Sequence, residues 1–276
     1  IRDVYKRQTL RGTSRLEEAD VQTALHELEQ RGDALERRYR DDIAAHIQLL
    51  RTCVRAYPQL LSGQRAATDV LFPDASMDLV ERVYKGNRLS DHYNALVVEQ
   101  LRAYVSARLA SAPPAAPIEI LEIGAGTGGS TASLLAALAP WATHIRYHYT
   151  DISKGFTHYG KTTYGAAYPF VAFSLLDIER DIQPQGYTPH SMDVVIAANV
   201  LHATQDMHRT LRNTRALLKP RGLLILNEVT RVQPFATMTF GLLEGWWLYR
   251  DPDLRLPHSP LLSTRTWENL LRDEGF

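Results

Sequence analysis

His202 and Glu228 are the pair whose types and placement most clearly suggest chemistry. Each closes an apolar run: Val194-Val195-Ile196-Ala197-Ala198 leads into Asn199-Val200-Leu201-His202, and Leu223-Leu224-Ile225-Leu226 leads into Asn227-Glu228. A histidine held by a carboxylate is oriented and made more basic, which suits it to take a proton as a general base. The pair can meet only if the two runs are neighbouring strands. His208, in the helical pattern that follows, reads as a surface residue.

A second group lies around the stretch Ile120-Leu-Glu-Ile-Gly-Ala-Gly-Thr-Gly-Gly-Ser-Thr131. A short apolar strand runs into a glycine turn that opens a helix, an arrangement that holds a nucleotide-like ligand. Gly124, Gly126 and Gly129 satisfy the loose dinucleotide spacing, and Asp151 follows at roughly the 20 residues such sites use. Glu122 separates the readings, because a carboxylate at the strand end repels a pyrophosphate and attracts a cation. S-adenosylmethionine (SAM) carries an ammonium and a sulfonium and no phosphate, so it fits better than NAD. Asp151 is expected to accept from both ribose hydroxyls while Ile152 covers the adenine; the alternative is a plain helix cap. Asp177, after the next strand, is placed to accept from the adenine amino group, and Ile178 beside it is expected to contact the cofactor as well. Asn199 is placed on the cofactor side of the histidine turn.

Positioning these residues takes a particular rhythm of elements. Strands fit residues 118–123, 145–150, 170–175, 192–198 and 222–229, with helices between them, which predicts an α/β doubly wound, mostly parallel sheet. Ligands of such sheets bind at the carboxyl ends of the strands, where every residue named above falls. Before them, apolar residues at three- and four-residue steps from Leu25 to Val54 predict one amphipathic helix, ended by Pro58 and Ser62-Gly63. Two more follow, one capped by Ser76 and stopped at Gly86, the other over residues 91–109. Pro113, Pro114 and Pro117 then make a stiff linker. The division is a helical unit over 9–112 and a core over 117–276. An insertion at 231–262 carries Phe240, Trp246 and Trp247 beside the cleft, suited to wall an apolar acyl chain.

Composition narrows the partners. Lysine plus arginine equal aspartate plus glutamate at 31 each, and no basic stripe interleaves with aromatics, which argues against nucleic acid. The one cysteine, Cys53, sits among helical apolar residues and reads as a small buried side chain in a reducing compartment. No His/Cys/Asp cluster has metal-ligand spacing, and no apolar run approaches the roughly 18 residues of a membrane span. A cytoplasmic protein without a metal is expected. The sequence begins at Ile1 without methionine and stops after a helix where strands normally follow, so it reads as a fragment with its C-terminal strands truncated. Residues 1–8, IRDVYKRQ, resemble translated sequencing-adaptor sequence and are set aside as a non-native leader.

Over roughly residues 50–276 the chain resembles the C-methyltransferase domains embedded in modular polyketide synthases. The resemblance rests on QLLSG and ATDVLFP within 59–73, SMDLVERVYKGN at 76–87, ILEIGAGTGGST, YTDIS, VVIAANVLHAT, LLILNEVT, and FGLLEGWWLYRDPDLRLPHSP at 240–260. It implies a helical lid before a class I SAM-binding core, and a catalytic dyad of His202 and Glu228. It also implies a β-ketoacyl thioester substrate on an acyl carrier protein, with other synthase domains as neighbours. Tyr93, in DHYN, corresponds to a lid tyrosine that borders the substrate. The same cofactor core serves methyl transfer to oxygen or nitrogen, and a non-catalytic scaffold within a megasynthase is a further alternative.

Overall fold

The structure is a computed structural model describing residues 18–111 and 116–276. The leader expected at 1–8, and Pro113 and Pro114 of the expected linker, lie outside the described residues. Where one helix is expected from Leu25 to Val54 there are two, α1 (Glu18–Arg38) and α2 (Arg40–Leu61), separated at Tyr39. They fold back on each other, and Arg51 of α2 pairs with Asp33 at 2.5 Å and Glu36 at 3.1 Å on α1. Pro58 lies inside α2, which runs on to Leu61 before Gly63 turns away with φ 76. A short α3 (Ala67–Leu71), unmarked in the sequence by any cap, precedes α4 (Asp78–Tyr84) and α5 (Arg88–Ser111). The N-cap of α4 is Met77 rather than the expected Ser76, which lies one residue earlier and accepts from the Asp78 N–H at 3.2 Å.

Leu49, Cys53, Val70, Leu71, Val80 and Val83 form the core of this helical unit, and Phe235, Phe240, Leu242 and Leu243 of the insertion pack against it. The helical unit and the insertion therefore share one apolar core. Burial pushes the Cys53 thiol up to about 11, which leaves it the inert apolar residue its context suggested.

The core carries five parallel strands, β1 (Ile118–Ile123), β2 (Ile145–Asp151), β3 (Val171–Leu175), β4 (Met192–Ala198) and β5 (Leu218–Asn227), in the order β3-β2-β1-β4-β5. Helices α6 (Thr131–Leu138), α7 (Lys154–Tyr164), α8 (Met207–Leu217) and α10 (Thr264–Asp273) flank the sheet, and α9 (Pro234–Met238) lies in the insertion. Residues alternate between the faces with the two-residue period of a strand. Ile118 and Ile120 pack on one side with Leu101, Leu134 and Tyr147, while Leu121 and Ile123 pack on the other with Leu211 and Trp267. β5 starts at Leu218, earlier than the expected 222: the strand passes through Pro220-Arg221-Gly222 by a register shift between Met192 and Val194, with Arg221 at φ 63.

Candidate active site

β4 and β5 are adjacent, with Ala198 paired to Asn227, so the segments leaving both strands emerge side by side. Asn199 turns the chain with φ 52; its N–H donates to the Asn227 carbonyl at 2.7 Å, and its Oδ1 accepts from the Val229 N–H at 3.2 Å. The chain then winds into a single turn, Leu201–Ala203. Glu228 Oε1 accepts from the N–H groups of Val200 at 3.0 Å and Leu201 at 2.8 Å, and Oε2 lies 2.5 Å from His202 Nδ1. Both side chains are buried, at 8% and 3% exposure. A carboxylate can only accept, so opposite an ionised Glu228 the neutral imidazole carries its hydrogen on Nδ1 and keeps a lone pair on Nε2. The Trp246 ring meets the imidazole at 5.9 Å and 73°, and is itself buried.

The glycine turn begins where β1 ends. Gly124 has φ 60, and a Cβ there would run into Val200, so this turn packs directly against the segment that carries His202. Gly126 donates its N–H to Asp151 Oδ2 at 3.0 Å, and Ser153 donates to Oδ1 at 2.8 Å. The cap of α7 is Ser153, which accepts from the Phe156 N–H, so Asp151 is not needed for that role. Burial raises the Asp151 pKa, against the lowering effect of its backbone hydrogen bonds. Ile152 beside it is 67% exposed and offers an apolar surface at the rim.

Glu122 lies beneath the turn, 2% exposed. It accepts from Tyr147 Oη at 2.6 Å and Thr131 Oγ1 at 2.7 Å. Burial nevertheless pushes its carboxyl up to about 7, with the Asp151 charge adding to the effect. Asp177 accepts from the Glu179 N–H at 3.0 Å and pairs with Arg180 at 3.0 Å. Ile178 is buried in the core with Leu176 and Ile182, so it backs Asp177 from inside. The strand ends thus gather three carboxylates around a glycine turn, with exposed Ile152 alongside. This set fits a cationic nucleoside with ribose hydroxyls and an adenine, which is SAM, and opposes a pyrophosphate.

The helical unit holds this turn through α5. Asn94 on α5, buried, donates to the carbonyls of Tyr84 at 3.0 Å and Gly129 at 3.3 Å and accepts from Ser130 Oγ at 2.8 Å. A Cβ on Gly129 would come within 2.6 Å of the Tyr84 Cβ, so the glycine admits the helical unit rather than shaping the turn. Burial, and then the Glu228 charge, push the Tyr84 phenol well above its ordinary range and keep it neutral. Phe240 stacks on Tyr84 at 5.8 Å, and Trp247 donates its indole N–H to the Gly241 carbonyl at 2.7 Å. Tyr93 is half exposed, against His92; in DHYN it is Asn94 that turns into the interior. His208 is partly exposed and pairs with Glu274 at 2.7 Å.

The sequence reading passes over Asn94 and Arg255. Arg255 is almost wholly enclosed and donates to the His202 carbonyl at 2.7 Å. The Asp251 to Arg255 spacing within RDPDLRL was its only signal. Among the described residues, no group of three or more His, Cys, Asp or Glu is placed to hold a metal, and no helix is long and apolar enough to cross a membrane.

Residues 121–224 match a family described as a methyltransferase domain. The polyketide synthase PksR of Bacillus subtilis (strain 168) is 46% identical over 237 residues, which cover 86% of this chain and 9% of that synthase. The chain therefore spans only a small part of the curated relatives it matches. Among solved structures, the DszA carbon methyltransferase superposes with TM-score 0.87 at 50% identity, covering 91% of this chain and 64% of that one. The trans-methyltransferase CalH, solved in complex with SAH, superposes with TM-score 0.74 at 30% identity, covering 96% and 71%.

Proposed function

The chain belongs to the family of carbon methyltransferase domains found in polyketide synthases and is a SAM-dependent methyltransferase with the class I fold; from that premise we propose that it methylates the α-carbon of a β-ketoacyl thioester on an acyl carrier protein, within a cytoplasmic synthase. The observation that carries this reading is the buried His202–Glu228 pair at 2.5 Å. Transfer to carbon needs a base strong enough to remove a proton from between a ketone and a thioester. Transfer to an already nucleophilic amine does not.

SAM, when bound, supplies an electrophilic methyl group on a positively charged sulfur. Glu122, Gly124, Gly126, Asp151, Ile152, Asp177 and Asn199 are the residues that would hold it, with Ile178 supporting Asp177 from the core. Glu122 serves the ammonium, Asp151 the ribose and Asp177 the adenine edge.

His202 Nε2 takes the α-proton, and Glu228 Oε2 retains the Nδ1–H and stabilises the imidazolium as it forms. The proton leaves behind an enolate whose carbon is the nucleophile. Trp246 covers the imidazole and limits its contact with water. With Phe240 and Trp247 it lines the substrate side, where the acyl chain lies. The enzyme's contribution beyond the base is to hold the reacting carbon in line, which is worth several orders of magnitude in rate.

Mass spectrometry of a β-ketoacyl carrier protein incubated with SAM, followed by NMR of the released acyl group, tests this. A single added methyl on the α-carbon is the expected product. An enol O-methyl ether, or no product with a substrate that binds, would contradict the assignment.

A further inference from the structure

Arg255 lies in the insertion, far in sequence from both strands of the dyad, yet its side chain is only 1% exposed. A guanidinium has five N–H donors in a planar fork, and here all five are used. Nε and Nη2 grip Asp251 at 2.6 and 3.0 Å, Nη1 donates to the carbonyls of His202 and Pro260 at 2.7 Å each, and Nη2 donates to the carbonyl of Thr204 at 2.9 Å. Asp251 in turn accepts from the Met207 N–H at 2.8 Å, at the start of α8.

These contacts complete a clamp. The turn Leu201–Ala203 presents N–H groups at one end and carbonyls at the other. The Glu228 carboxylate takes the N–H groups of Val200 and Leu201, and the Arg255 guanidinium takes the carbonyls of His202 and Thr204. An anion and a cation thus hold the turn from opposite sides, and the imidazole is fixed between them. The same arginine anchors the insertion through Asp251 and Pro260, so the wall on the substrate side and the base move as one piece.

We propose that Arg255 is a positioning residue for the base: with Asp251 it fixes the backbone of the His202 turn so that Nδ1 stays on Glu228 and Nε2 faces the substrate. This rests on the reading of His202 as the base. Lysine cannot replace it, because a single ammonium cannot reach three carbonyls and a carboxylate in one plane.

The test uses the full chain. Arg255→Met leaves the partly buried Asp251 without its counter-ion and is prone to unfold. The double variant Asp251→Asn with Arg255→Met removes both charges, and the amide oxygen at 251 still accepts from the Met207 N–H. Two readouts are taken on this variant and on Arg255→Lys, each with melting curves. One is the downfield Nδ1 proton resonance of the dyad, identified by its loss in His202→Ala. The other is SAM-independent exchange of the α-proton of a β-ketobutyryl pantetheine thioester in deuterated solvent, with kcat and KM resolved.

In folded variants the resonance is expected to broaden or vanish, and exchange kcat to fall by about tenfold to a hundredfold, with KM within about threefold, the size of effect a displaced catalytic group produces. Folded variants that keep both the resonance and kcat, or that change KM alone, overturn the proposal. Loss of the resonance in the variants, from a wild type that shows it but catalyses no exchange, would uphold the clamp and instead sink the reading of His202 as base.

Discussion

Asn94 of α5 donates to the carbonyl of Gly129 in the glycine turn, 3.3 Å away, and accepts from the hydroxyl of Ser130 next to it. One buried side chain therefore joins the helical unit to the glycine turn proposed to hold the cofactor. Asn94→Ala leaves the Gly129 carbonyl and the Ser130 hydroxyl without a partner in a buried place. The expected cost is about 1 to 3 kcal/mol of stability, together with SAM binding weakened by roughly tenfold. Urea unfolding and titration calorimetry measure the two effects. Unchanged SAM affinity would show that the helical unit and the turn are energetically independent.

Glu122 makes stability depend on pH. Its carboxyl is held at about 7, against an ordinary value of 4.5, chiefly by burial. Between those values the folded chain keeps a proton that the unfolded chain has lost. The contribution is thus fully present below about pH 4.5 and is lost as pH rises through about 7. Glu122→Gln is expected to remove this part of the slope. A bound cation favours the carboxylate, so SAM should bind more tightly as pH rises through the same window. Unfolding free energies at several pH values, wild type against Glu122→Gln, are the check; identical slopes would contradict the account.

Glu228 accepts three hydrogen bonds, two from backbone N–H groups and one from His202. Glu228→Gln supplies only one accepting oxygen. If that oxygen stays with Val200 and Leu201, the amide NH2 faces Nδ1 and selects the tautomer whose Nε2 is protonated and cannot act as a base. Turnover is expected to fall on the order of a hundredfold or more, with SAM affinity unchanged. Steady-state kinetics beside calorimetry separate these. Near-normal turnover would mean that Glu228 merely supports the loop.

Strands and glycine turn were legible because each rests on local pattern. The strands expected at 118–123, 145–150 and 192–198 are the observed β1, β2 and β4 to within one residue. The break at Tyr39 was not legible, since neither glycine nor proline marks it and the apolar spacing continues across it; the packing of α1 on α2 through Arg51 decides it. Arg255 was hidden for a different reason. An arginine in a polar stretch ordinarily reads as surface, and only the meeting of His202, Thr204, Pro260 and Asp251 in space accounts for its burial. Likewise DHYN drew attention to Tyr93, whereas helical geometry turns Asn94 inward.

The central claim is that His202 acts on carbon, and it is tested most directly without any methyl transfer. A carrier-bound β-ketoacyl thioester is held in deuterated solvent with the enzyme and no SAM, and incorporation at the α-carbon is followed by mass spectrometry. Wild type is expected to incorporate deuterium faster than the spontaneous rate, and His202→Ala to lose that acceleration while binding SAM as wild type does. Exchange undiminished in His202→Ala would contradict the account.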